Sequence, residues 1–79
     1  MKVRIDIMLK EGVLDPQGKA IGHALGTLGF AGIGEVRVGK SIFVEMAETD
    51  VAKAEEAAKD MARKILANLV IEDFKVTVV

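Results

Sequence analysis

The stretch GVLDPQGKAIGHALGTLGF, residues 12–30, follows a predicted strand and contains the first predicted helix of the fold. Asp15 suits the N-cap of that helix, and Pro16 suits its first position because proline lacks an N–H and has a fixed φ. Apolar residues then recur at helical spacing as far as Leu28, and Gly29 is a suitable C-terminal stop. The predicted helix therefore has one apolar face, formed by Ala20, Ile21, Ala24, Leu25 and Leu28.

Three glycines interrupt this helix at a spacing of four: Gly18, Gly22 and Gly26. Each costs about 1 kcal/mol relative to alanine in a helix interior. On a helical wheel they form a bare strip beside the apolar face, where another backbone can approach closely because no Cβ atoms stand in the way. The approaching element could come from the same chain or from a second one. The small size of the chain favours the second chain.

Segments of alternating polarity on either side of this helix predict strands. Residues 2–9, KVRIDIML, form one, and residues 72–79, EDFKVTVV, form another. Residues 31–48 predict a hairpin between the two helices, with its turn at Gly39-Lys40 or Lys40-Ser41. Its alternating apolar positions are Val36 and Val38 in the first strand and Ile42, Val44 and Met46 in the second.

A second helix is predicted from a cap at Thr49 or Asp50 to about Ala67, where Asn68 in the αL conformation would end it. Its apolar stripe is expected to be Val51, Ala54, Ala58, Met61 and Ile65. The order β-α-β-β-α-β predicts an α+β, ferredoxin-like two-layer sandwich that fills residues 1–79 as one domain. Both helices would cover one face of an antiparallel sheet, leaving the other face free for a second subunit.

The composition excludes several classes of site. The 79 residues include no cysteine and one histidine, so disulfides, thiolate zinc sites and histidine-rich metal sites are not expected. The net charge is −1 and only three residues are aromatic, so we expect neither nucleic acid nor a membrane as a partner. No apolar run approaches membrane-spanning length, which favours a cytoplasmic location. Oligomerisation remains as the way for so small a domain to gain stability.

No pattern in the sequence predicts a catalytic, metal-binding or cofactor-binding residue. The glycines of GFAGIG, residues 29–34, follow a helix, whereas a phosphate cradle follows a strand and opens a helix. His23 is expected on the solvent side, with no sign of the partner and pocket that a general base needs. The carboxylates of the second helix pair with lysines at helical spacing, as on a solvated face.

Three ordered motifs carry a resemblance to a known family: GVLDPQGKAIGHALGTLGF, then EVRVGK, residues 35–40, and KILANLVIEDFKV, residues 64–76. Together they resemble the PurS family, the small subunit of phosphoribosylformylglycinamidine synthase, over nearly the whole chain. One difference is Leu69, where the family commonly has proline after the asparagine. The resemblance implies a PurS-like fold related to the ferredoxin-like one, in dimers or dimers of dimers.

The resemblance also implies the partners. In that family a glutaminase subunit, PurQ, releases ammonia, and a large synthetase subunit, PurL, uses ATP and magnesium to add it to formylglycinamide ribonucleotide. The small subunit would bind no cofactor, would have no activity alone, and would join the two larger subunits and assist ammonia transfer. Four polar residues of the matching motifs are expected to point outward and are then candidate contacts: Asp15, Gln17, Arg37 and Lys40. The three glycines of the first helix are candidate contacts as well.

Two other functions are compatible with the predicted fold. A ferredoxin-like regulatory domain could bind an amino acid at a dimer interface, and the glycine-rich loops after the first strand suit that role. An RNA-binding sandwich is weaker, because the aromatic residues that would stack on bases are largely missing.

Overall fold

The computed structural model describes residues 1–79 and contains three strands and two helices. Their order is β-α-β-α-β, which confirms the α+β class and the antiparallel sheet but contains one strand fewer than predicted. The elements are β1 (Lys2–Leu9), α1 (Pro16–Thr27), β2 (Gly39–Glu45), α2 (Val51–Met61) followed by a π-helical turn (Ala62–Leu66), and β3 (Glu72–Val78).

The central strand of the sheet is β1, which pairs antiparallel with β2 on one side and with β3 on the other. Val3, for example, lies opposite both Val44 and Val78. The alternation of β1 gives the strand one fully apolar face, which packs into the core. Val3, Ile5 and Ile7 are the largest fully buried side chains of the molecule.

The second helix packs on that apolar face through small side chains. Ala54, Ala58 and Ala62 are fully buried, and alanine lets a helix lie close to the sheet. The predicted stripe was therefore wrong at its ends, because Val51 and Ile65 are 50% and 81% exposed. The Ala67 N–H donates to the Ala62 carbonyl, so the last turn is wider than an α-helical one. This widening keeps Leu66, four residues after Ala62, packed against the core and leaves Ile65 outside.

The ends of α2 agree in part with the prediction. Asp50 is the N-cap, and its carboxylate accepts the Lys53 N–H at 3.2 Å. Asn68 does not adopt the αL conformation, since no residue other than glycine has a positive φ. Instead the chain leaves the helix through extended backbone at Ala67, and the Asn68 side chain accepts the Val70 N–H at 3.1 Å.

The predicted hairpin is not formed. Residues 36–38 are irregular, and Gly39 and Lys40, which were predicted to form the turn, already pair with β1. The reason is that the Val38 N–H donates to the Asp15 carboxylate at 2.8 Å and so is not available for a sheet ladder.

The first helix takes no part in the core. The buried cluster and the side chains packed against it come from β1, β2, α2 with its π-helical turn, and β3, together with the residues beside these elements. The prediction that both helices cover the same face is thus met by α2 alone. In α1 only Gly18 is buried.

The molecule is more extended than a compact domain of its length. Its radius of gyration is 15.9 Å, against about 12 Å expected for 79 residues. Its accessible surface is 5541 Å², against about 4,700 Å² for a compact monomer of this mass. The excess reflects residues 10–38, which comprise α1 and the segments on either side of it, and which we call the arm.

Candidate functional site

At the base of the arm, Asp15 joins the start of α1 to the residue that leads into β2, and Asp15 is only 5% exposed. One oxygen accepts the Gly18 N–H at 2.7 Å, which caps α1 as predicted, and the other accepts the Val38 N–H at 2.8 Å. The hydrogen bond from Val38, then that from Gly18 and the nearby charge of Arg37, hold the pKa of Asp15 below its usual range. The expectation that the polar tip of Asp15 faces outward was wrong, because its carboxylate is buried and bonded within its own chain.

Arg37 also turns inward, against expectation. Its guanidinium donates to the Val13 carbonyl at 2.8 Å and to the Lys10 carbonyl at 3.0 Å, and its Nε lies 3.5 Å from the Glu35 carboxylate. These bonds join the loop before α1 to the segment after it. With Asp15, Arg37 closes residues 10–38 into one unit.

The three glycines of α1 have different surroundings. A Cβ on Gly18 would lie 2.1 Å from the Val36 carbonyl oxygen, so only glycine fits there. A Cβ on Gly22 would lie 3.4 Å from Val36 Cγ2, at the close limit of ordinary van der Waals contact, and one on Gly26 would meet nothing within 4 Å. Close packing inside the chain therefore accounts for Gly18 and partly for Gly22. It does not account for Gly26.

Two cavities flank Asp15 and contain most of the residues predicted for contact. The larger, of about 660 Å³, lies between α1 and residues 33–37 and is lined by Gly18, Gly22 and Arg37 among others. The smaller, of about 270 Å³, brings Gln17, Lys40 and Asp15 together beside the start of β2. Gln17 and Lys40 are exposed, as predicted, whereas Gly26 lines neither cavity.

Neither cavity contains a recognisable reaction centre. His23 is exposed, as predicted, and lines the larger cavity, but it takes part in none of the ion pairs. No group of three or more histidine, cysteine or acidic side chains is placed to hold a metal ion. Neither helix combines the length and apolar composition that crossing a membrane requires.

What the arm does present is an uncovered apolar surface. Ile21 is 39% and Leu28 is 73% exposed, and the other residues of the predicted apolar face are exposed or half-buried. Leu14, Phe30 and Ile33 in the adjoining segments are exposed as well. A helix with one apolar face normally buries it, so an uncovered face of this kind indicates a contact with another protein.

The open face of the sheet, by contrast, is polar. The Arg4 Nε donates to the Asp6 carboxylate at 3.0 Å, and the Ser41 hydroxyl donates to its other oxygen. The bond from Ser41, with the nearby Arg4, holds the pKa of Asp6 below its usual value. Phe43 and Met8 are the large apolar residues on this face.

Two residues of the arm, Val36 and Val38, were not predicted as part of the site, because their alternation with polar residues is typical of a strand. Val36 packs against Gly18 and Gly22, and Val38 donates to Asp15. The capping Asp15 could not reveal this, since a cap needs only one of its two carboxylate oxygens.

Comparison with known protein families shows which of the functions compatible with the sequence applies to this chain. Residues 2–79 match the family model described as PurS, phosphoribosylformylglycinamidine (FGAM) synthase. The chain belongs to the PurS family. PurS is a subunit of FGAM synthase, an enzyme of purine biosynthesis. The resemblance predicted from the sequence motifs is therefore confirmed.

Individual PurS proteins are similar along nearly their whole length. The PurS subunit from Mycobacterium leprae is 47% identical over 73 residues, which cover 92% of this chain and 89% of that protein. The Bacillus subtilis PurS subunit is 41% identical over 76 residues, covering 94% of this chain and 87% of that protein.

Solved PurS structures agree with the fold. The crystal structure of Methanocaldococcus jannaschii PurS, one of the subunits of formylglycinamide ribonucleotide amidotransferase, has a TM-score of 0.87 at 41% identity and covers 96% of this chain and 92% of that one. A chain in the structure of PurLQS from Thermotoga maritima also has a TM-score of 0.87, at 32% identity, and covers 96% of this chain and 93% of that one. These matches support the synthase subunit and not the amino-acid sensor.

Proposed function

We propose that this PurS chain is an assembly subunit of FGAM synthase that carries no reaction centre of its own and works by contact. It self-associates as a dimer or tetramer through the arm, and the assembly bridges the synthetase subunit PurL and the glutaminase subunit PurQ. The observation that carries the proposal is the uncovered apolar face of α1.

The energetics of the single chain support self-association. Only eight of the 79 residues are buried, and six of these form the core. Burying a leucine or isoleucine completely contributes about 1.5–3 kcal/mol. Ile21 in α1 and Leu28 at its C-cap would thus add appreciably to a small margin of stability if a second chain covered them.

The proposed division of roles among the three subunits is supported by the structure of a related complex. The PurLQS structure from Thermotoga maritima includes a chain similar to this one. In our proposal, PurL binds ATP and magnesium and forms the C–N bond, PurQ releases ammonia from glutamine, and this chain aligns the two in the cytoplasm so that ammonia passes between them. The contact residues of the proposed interfaces are Gln17, Lys40, Gly22 and Gly26, with Asp15, Gly18 and Arg37 supporting them from within the arm.

Reconstitution with PurL and PurQ from the same organism tests the proposal. The chain alone should hydrolyse neither glutamine nor ATP, whereas its addition to PurL and PurQ should restore glutamine-dependent formation of FGAM. Ammonium salts should support the PurL reaction without PurQ and provide the control for an active synthetase. Glutamine-dependent activity that is equally high without this chain would contradict the proposal.

A further inference from the structure

The link between the arm and the sheet depends on very few contacts. The arm contributes no residue to the core, and its helix buries only Gly18. Its direction relative to the sheet is therefore fixed by the bonds at its base and not by packing of α1 on the sheet.

Asp15 is placed to fix the orientation of α1 relative to the sheet, because its two carboxylate oxygens accept hydrogen bonds from different segments of the chain. One receives the first turn of α1 through the Gly18 N–H at 2.7 Å. The other receives the Val38 N–H at 2.8 Å, and β2 begins at the next residue. A single carboxylate thus joins the first turn of α1 to the residue directly before β2, the strand that is paired along β1.

A normal N-cap needs only the first of these bonds. Asp50, the cap of α2, makes only such a bond, to the Lys53 N–H at 3.2 Å, and it is exposed. The burial of Asp15 and its second, charge-assisted bond therefore go beyond capping. Arg37 reinforces the same base through the Lys10 and Val13 carbonyls.

We infer that Asp15 is a positioning residue for assembly: through Val38 it holds α1 at the angle at which a partner chain covers the apolar face. This inference rests on the proposed self-association through the arm. Without the link, α1 would still be capped but would move relative to the sheet, so association would cost the entropy of fixing it again.

The test separates the cap from the link. Asp15→Ser retains a hydroxyl that can cap Gly18, but its single short oxygen cannot also reach Val38. Asp50→Ser is the matched control, since it makes the same change at a cap that has no second bond. Hydrogen exchange is measured for amides of α1, Val38 and β1, and the dissociation constant of the oligomer is measured by sedimentation velocity.

For Asp15→Ser we expect exchange at Val38 and in α1 to become about tenfold faster or more, because a hydrogen bond to a charged group is lost. Exchange in β1 should be unchanged, and the dissociation constant should rise about tenfold or more. Asp50→Ser should leave exchange in the arm and the dissociation constant as in the native chain.

The inference would be overturned if exchange in α1 of Asp15→Ser stayed as slow as in the native chain. It would also be overturned if α1 exchanged faster but the dissociation constant did not rise. A higher dissociation constant with unchanged exchange in α1 would contradict it too, because Asp15 would then be a direct contact. If Asp15→Ser unfolds β1 as well, Asp15→Asn, which keeps one acceptor for Gly18 but places an amide donor opposite Val38, is judged by the same criteria. A native chain that stays monomeric would instead refute the self-association on which the inference rests.

Discussion

At the scale of single residues, the glycines of α1 differ more than their regular spacing suggests. Gly18 is required by the Val36 carbonyl, whereas Gly26 faces open space in its own chain. The sequence alone predicted that the three glycines lie in one helix at a spacing of four, and the structure agrees. It could not tell which glycine meets a neighbour, because the neighbour lies eighteen residues further along the chain, in a segment that was predicted to be a strand.

The alanine variants of these two glycines should have opposite effects. Gly18→Ala should destabilise the arm by about 1–3 kcal/mol, since its Cβ would overlap the Val36 carbonyl oxygen. Gly26→Ala should stabilise α1 by about 0.5–1 kcal/mol, because alanine is the better helix former and has room. Hydrogen exchange of α1 amides at a concentration where the chain is monomeric measures both effects. Faster exchange in Gly26→Ala would contradict the assignment of open space at this position.

Asp15 and Asp6 should make the stability of the chain depend on acid pH. Both have a pKa below the unfolded value of about 3.9. A lowered pKa contributes stability that is complete above the unfolded value and is lost as the pH falls through the folded value. The urea midpoint should therefore be nearly constant from pH 7 to 5 and fall below about pH 4.

Asp15→Ser provides the check on this pH dependence. The variant should start from a lower midpoint at pH 6 and lose less than the native chain between pH 5 and pH 3, because one of the responsible carboxylates is gone. Circular dichroism during urea titration at each pH gives the midpoints. An acid decline in the variant as large as in the native chain would show that Asp15 does not contribute to it.

At the scale of elements, local patterns predicted most of the structure. The alternation of residues 2–9 and the cap at Asp15-Pro16 correspond directly to β1 and the start of α1. Two features were not predictable from local patterns. The segment before β2 is irregular because Asp15 binds Val38, and the buried stripe of α2 follows the alanines because small side chains let the helix approach β1.

The stripe of α2 can be tested with a buried and an exposed position. Ala58 is fully buried, so Ala58→Leu should destabilise the chain by about 1–3 kcal/mol through overpacking. Ile65 is 81% exposed, so Ile65→Ser should change stability by no more than about 0.5 kcal/mol. Urea denaturation of the monomer compares the two. A larger loss for Ile65→Ser would return this residue to the core and refute the role of the π-helical turn.

At the scale of the whole molecule, the elongated shape leaves the arm uncovered, which supports the proposed role in assembly. The sequence predicted the need for a partner from the small size of the chain, and the structure locates an uncovered surface on the arm. Sequence patterns could not locate it, because an apolar helical face looks the same whether its own sheet or another chain covers it. Of the four polar residues predicted as contacts, Asp15 and Arg37 instead make hydrogen bonds within the arm.

Self-association should make the thermal stability depend on protein concentration. If folded chains bind one another and unfolded chains do not, mass action raises the melting temperature with each tenfold increase in concentration. Calorimetry or circular dichroism over about three decades of concentration measures the trend. Leu28→Ser, which changes a side chain that is 73% exposed, should reduce the slope without lowering the melting temperature at the lowest concentration. A melting temperature independent of concentration would contradict association through folded chains.

The central position of β1 also constrains when the sheet can form during synthesis. Val3 pairs with Val44 and with Val78, so neither neighbour of β1 exists when the ribosome has made the strand itself. Until residues 39–45 and 72–78 follow, Val3, Ile5 and Ile7 remain exposed on the nascent chain, and such long-range pairing also folds slowly. A circular permutant that began at α2 would place β3 directly before β1 and should shorten this vulnerable period.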